Sequence, residues 1–197
     1  MLPCLAVALF FIIWDVIFTS IGVWSFNPRY VVGVYLAGLP LEELLFFFCI
    51  PYACTFTYHC LGLFFNLGRY KNIAGAVSWL LIASLSVICL LHLKQLYTSV
   101  TFLLLALFLI KPAINRAGYM PAFYVTFLLI LVPFFISNGI LTGTGNPEPV
   151  VIYNNKQNLG IRMLTIPFED IFYGMLLLLM NVSGYEWLKN KHAREKK

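Results

Sequence analysis

"LPLEELLFFFCIPY", residues Leu39 to Tyr52, sets two adjacent carboxylates, Glu42 and Glu43, at the head of a run otherwise as apolar as a bilayer span. The rest of the chain has the same character, with 61% of its 197 residues hydrophobic and 11% charged. That leaves too little polar surface for a water-soluble globule, and the apolar stretches reach the roughly 18 residues that cross hydrocarbon. The reading is an all-α, polytopic membrane bundle of about six transmembrane helices. They are predicted near 2–23, 41–65, 73–92, 98–114, 120–138 and 164–188. The first run lacks a basic n-region and carries Asp15, which argues against a signal peptide. Cys4, Cys49, Cys54, Cys60 and Cys89 all fall inside spans without CxxC spacing and read as small buried hydrophobes.

Basic residues in the connections orient the bundle. Arg69, Lys71, Lys111, Arg116, Lys189, Lys191, Arg194, Lys196 and Lys197 fall on one side; Arg29, Lys94, Lys156 and Arg162 fall on the other. The richer side, with the C-terminus, is expected to be cytoplasmic. The net charge of +5 then reads as a topology signal and a contact with the lipid bilayer. Nucleic acid is not expected as a partner, because no soluble domain presents a basic face.

The opening stretch has an echo. "LPLEELLFF" from Leu39 returns as "IPFEDIFYG" from Ile166, matching Pro40 with Pro167, Glu42 with Glu169 and Glu43 with Asp170. Upstream, "DVIFTSIG" from Asp15 returns as "NGILTGTG" from Asn138, matching Asp15 with Asn138 and Thr19 with Thr142. The two Pro-x-acid-acid helices lie an even number of spans apart, so both enter from one face and the repeat is parallel. Residues 1–72 form the first repeat, 73–97 a connecting span, and 98–197 the second repeat with its basic tail. The span at 98–114 precedes the Asn138 helix, and the first repeat has no counterpart for it.

Proline at a helix start with acids in the next turn suits the helix dipole, so one copy of the motif alone reads equally well as capping or as a site. Two copies, joined by Asp15 inside an apolar helix, ask for more: a lone carboxylate there is costly unless it is paired, protonated or faces a cavity. Five of the eight acids lie in or beside spans with few cations near them, so they cannot all be ionised. A site holding a proton on one carboxyl while a neighbour stays ionised can give a proton at one place and take one at another. Candidate catalytic residues are Asp15, Glu42, Glu43, Glu169 and Asp170. Trp24, Phe26, Phe46, Phe47, Phe172 and Tyr173 are candidate substrate-binding rings, because aromatic faces stabilise cations without trapping them. Asn27, Asn138, Asn154, Arg162, Thr142, Pro40 and Pro167 are read as supporting residues.

No G-x-S-x-G, P-loop or histidine pair at helical spacing is present, and "GTGNPE" from Gly143 leads into polar loop rather than a helix. His59, His92 and His192 are isolated, so no metal site is expected. On residues alone, proton chemistry on a hydrophobic substrate and proton-coupled transport both stay open. A membrane prenyltransferase needs aspartate-rich motifs for magnesium and diphosphate, and Asp15 and Asp170 are the only aspartates.

In "WDVIFTSIGVWSFNPRY" from Trp14, "LPLEELLFF" from Leu39, "NGILTGTG" from Asn138 and "NLGIRMLTIPFED" from Asn158, the chain resembles the lycopene cyclase-domain proteins, the flavin-independent carotenoid cyclases. Both halves are represented, as in the tandem-fused form. The resemblance implies conversion of the acyclic ends of lycopene, or another acyclic carotenoid, into β-ionone rings by a redox-neutral isomerase that needs no cofactor. It implies a bacterial or archaeal cell membrane and, as candidate partners, other carotenoid-pathway enzymes. It assigns the proton donor to the Glu42/Glu43 pair and the base to Glu169 or Asp170, with the roles exchangeable, and lets Asp15 hold one carboxyl by hydrogen bonding. Members of that family usually begin with a further apolar segment, which the resemblance places ahead of the Asp15 helix.

Overall fold

Six apolar runs become six helices: α1 (Leu2–Ser20), α2 (Leu41–Phe64), α3 (Lys71–Leu91), α4 (Leu96–Ile114), α5 (Met120–Leu141) and α6 (Phe168–Glu195). The computed structural model describes residues 2–195, with side chains from Cys4 onward. Lys196 and Lys197 of the basic tail lie outside the described residues. Among those described, the last five helices are long and apolar enough to cross a membrane, and α1 is a shorter apolar helix. The architecture is an all-α polytopic bundle. Of the cysteines, only Cys89 is fully buried, and Cys49 is exposed on α2, a departure from the reading of all five as buried.

The runs predicted to 23 and from 164 shorten to Ser20 and Phe168, because the chain between each pair of helices folds into short antiparallel ladders. β1 (Trp24–Phe26) pairs with β4 (Val151–Tyr153), β2 (Tyr35–Leu36) with β3 (Leu39–Pro40), and β5 (Arg162–Met163) with β6 (Ile166–Pro167). Strands of two or three residues are too short to carry a period-two signal, so the sequence reading assigns them to loops or helix ends.

The two loop regions carry the same hydrogen bonds at one constant spacing along the chain. The Val32 N–H donates to Glu42 Oε1 at 2.6 Å, and the Leu159 N–H donates to Glu169 Oε1 at 2.7 Å. The Leu41 N–H reaches the Val34 carbonyl at 2.9 Å, and the Phe168 N–H reaches that of Ile161 at 3.0 Å. Asn27 and Asn154 each cap the backbone two residues on, at Arg29 and Lys156. The β1–β4 ladder is self-reciprocal: the Asn27 N–H donates to the Val150 carbonyl and the Asn154 N–H to that of Val23. Even backbone strain is matched, with Ala37 at φ 52° and Leu164 at φ 60° in the two hairpin turns.

Helices α1, α2, α5 and α6 form the central group. α1 packs on α2 and α6, and α2 on α5 and α6; α4 lies against the outside of α6, with α3 beyond it. No described helix lies against α2 as α4 lies against α6.

Candidate active site

Each acid pair is aimed by its helix start. Pro40 sits at the N-cap of α2 in extended conformation, not at the first helical position, and makes no side-chain cap. The first acid of each pair turns back to the loop: Glu42 binds the Val32 N–H, and Glu169 binds the Leu159 N–H and the Thr98 hydroxyl at 2.6 Å. The second acid, one residue and about 100° further round the helix, faces inward.

There Glu43 and Asp170 meet Asp15 in one pocket, with about 980 Å³ of empty space, its open mouth included. The lining brings together matched positions of the two halves: Asp15 and Asn138, Glu43 and Asp170, Trp24 and Val151, Phe26 and Tyr153, Phe46 and Tyr173, Ile50 and Leu177. The walls are otherwise apolar, with Phe127, Ile130, Leu131 and Phe134 from α5.

The three carboxyls have different partners. Asp170 Oδ1 accepts from the Tyr97 hydroxyl at 2.6 Å; its Oδ2 accepts from the Tyr153 hydroxyl and Asn138 Nδ2, both at 2.9 Å. Both oxygens are engaged as acceptors. Burial, and then the Asp170 charge, push the Tyr153 phenol well above its ordinary range, so it stays a donor. Asp15 accepts from the Trp24 indole N–H through Oδ1, while its buried Oδ2 meets no partner among the described residues. Glu43 has no hydrogen-bond donor among the described residues; its acidic neighbours are Asp15 and Asp170.

Of the residues singled out in the sequence, Asp15, Glu43, Asp170, Trp24, Phe26, Phe46, Tyr173 and Asn138 line the pocket. The others do not. Glu42 is exposed and Glu169 fully buried under α4, both outside the lining. Phe47 packs in an aromatic cluster with Phe11, and Phe172 packs against Phe102 and Phe168. Asn27, Asn154, Pro40 and Pro167 build the loops. The Thr142 hydroxyl donates to the Asn138 carbonyl at 2.8 Å. Arg162 donates to the Thr165 carbonyl and Asn155 Oδ1, with its guanidinium 5.8 Å from the centre of the Tyr153 ring.

Sequence reasoning missed Tyr97, Tyr153 and Gly174. Tyr153 matches Phe26 in the other half, so a phenol replacing a plain ring was a readable signal. Tyr97 carried none, because it lies on α4, outside the segments that echo one another in the sequence. The arrangement suits proton transfer to and from an apolar molecule, since it joins a carboxyl without donors among the described residues, a second carboxyl held by three donors, and aromatic side chains.

The sequence model of the lycopene cyclase family matches residues 1–61 and 94–188, which hold every element lining the pocket, while α3 falls outside. No curated protein and no solved structure matches significantly. With most of its length matched, this membrane-helix chain with converging carboxyls belongs to the lycopene cyclase family.

Proposed function

We propose that the chain is a lycopene β-cyclase, a redox-neutral isomerase that closes the acyclic ends of lycopene into β-ionone rings. Glu43 donates a proton to the hydrogen-bearing carbon of the terminal double bond. The tertiary cation left at its neighbour is attacked by the internal double bond, forming the ring's carbon–carbon bond. Asp170 then takes a proton from the carbon that made that bond, leaving a ring double bond; one proton enters, one leaves, and no electrons are exchanged. Trp24, Phe26, Phe46 and Tyr173, which line the pocket, stabilise the cation. Asp15, held by the Trp24 indole, balances charge beside Glu43.

The observation that carries this reading is the contrast on one apolar pocket between Asp170, with three donors, and Glu43, with none. Glu42 and Glu169, which the resemblance also offers as acid and base, act here as loop clamps. The test is pigment analysis in lycopene-accumulating cells. Glu43→Gln and Asp170→Asn should each reach the membrane and leave acyclic lycopene, while Glu42→Gln should still yield β-rings. Full cyclisation by both pocket variants would overturn the assignment.

A further inference from the structure

The segments that carry the two hairpins are apolar where loops are usually charged. From Val31 to Leu41 no residue is charged. In the matching stretch of the second half Arg162 is the one charge, and its guanidinium is occupied by Thr165, Asn155 and the Tyr153 ring. The side chains are also bare: Val32 is 79% exposed, Leu36 66% and Leu164 78%.

Leu164 adds a second observation. It takes φ 60° in its two-residue turn, a left-handed conformation that a leucine enters only at a cost and that hairpin turns usually give to glycine or asparagine. Among the described residues little offsets that cost, because the Leu164 side chain is mostly exposed. Exposed apolar side chains also stand on the helices that flank the hairpins: Ile17 and Ile21 on α1, Leu45 on α2, Ile136 and Ile140 on α5. The backbone is prepared for an apolar setting too. Glu42 and Glu169 accept the Val32 and Leu159 N–H groups, and the Leu41 and Phe168 N–H groups donate to the Val34 and Ile161 carbonyls at the base of each short ladder.

We propose that both hairpin tips are embedded in one leaflet of the bilayer, in the acyl region just under the headgroups, as paired interfacial anchors at the loop end of the bundle. Their partner is phospholipid hydrocarbon. This is independent of the cyclase reading and needs no substrate to test.

Leu36→Trp and Leu164→Trp are made in the full chain and reconstituted in phosphatidylcholine vesicles, with or without bromine near the carboxyl end of the acyl chains. Emission is read as the difference from the parent protein. The added indole should be blue-shifted, lose at least half its intensity to bromine, and resist aqueous acrylamide. Water-like emission quenched by acrylamide would overturn the proposal, and so would blue-shifted emission insensitive to bromine, which would mean a protein surface covers the tips. Leu164→Asn gives a second reading, free of indole. Asparagine suits the left-handed turn better, so in water it should raise the melting temperature; with the tip in lipid it should lower it. A rise in vesicles would also overturn the proposal.

Discussion

Two seams of the central group occupy equivalent places and are filled differently. Between α1 and α6, Phe11 and Trp14 each stand 5.0 Å from Tyr173, and Phe11 also meets Phe47 at 6.1 Å, so the seam is closed by rings. Between α2 and α5 the matching backbone leaves the pocket open. The counterpart of Phe47 there is Gly174, and that of Trp14 is Ser137, whose hydroxyl turns back to the Pro133 carbonyl at 3.0 Å. A few side chains thus separate a seam filled by rings from one that stays a cavity. The acids follow the same logic: matched positions hold Asp15 against Asn138, which leaves the donors concentrated on Asp170.

Filling the open seam should have the largest effect. An ideal Cβ on Gly174 would lie 3.8 Å from the Phe134 ring, an ordinary contact, so Gly174→Phe should fold and place its ring in the pocket. Cyclisation should fall by more than about 100-fold, measured as carotenoid ring content at equal protein in the membrane. Wild-type rates would mean the substrate end binds elsewhere.

Emptying the closed seam should act on stability first. Phe11 is fully buried among Trp14, Phe47 and Tyr173, and Phe11→Ala should cost about 3–5 kcal/mol. Unfolding in detergent or lipid checks this. The equivalent Phe134→Ala, at a pocket wall, should cost clearly less.

Thinning the donors on Asp170 comes next. Tyr153→Phe removes one hydrogen bond to a charged group, worth about 1.5–3 kcal/mol. Ring closure should slow by ~10–100-fold with the protein still folded. An unchanged rate would remove Asp170 from the proton-accepting role.

The first acids of each motif should differ least in chemistry and measurably in stability. Glu169 is fully buried and holds Thr98 and Leu159, so Glu169→Gln should destabilise by about 1–3 kcal/mol, since its amide N–H groups have no acceptor there. Glu42 is exposed with one backbone partner, and Glu42→Gln should stay within about 0.5 kcal/mol. Thermal shifts of the two variants side by side decide the comparison.

Spans are legible in this sequence because apolar runs of bilayer length have no other stable solution, and Asp15, Glu43 and Asp170 stand out because carboxyls in such runs demand a reason. Which acid of each pair faces inward was not legible. Adjacent residues differ by about 100° around a helix, and the start of the helix, one residue after Pro40, sets the phase. The ladders were hidden by their brevity. The donors Tyr97 and Tyr153 come from a helix and a strand remote in sequence from Asp170, and only the fold brings them to it.

If a pocket carboxyl supplies the proton that starts ring closure, that hydrogen comes from water. A carboxyl donor re-protonates from water between turnovers, so cyclisation of lycopene in deuterium oxide should leave one deuterium per new ring. It should sit at the carbon that was the hydrogen-bearing end of the terminal double bond, and mass spectrometry with NMR of the product locates it. Cyclic product without deuterium at that carbon would mean that the initiating proton does not come from an exchangeable acid, and Glu43 would lose its role as donor.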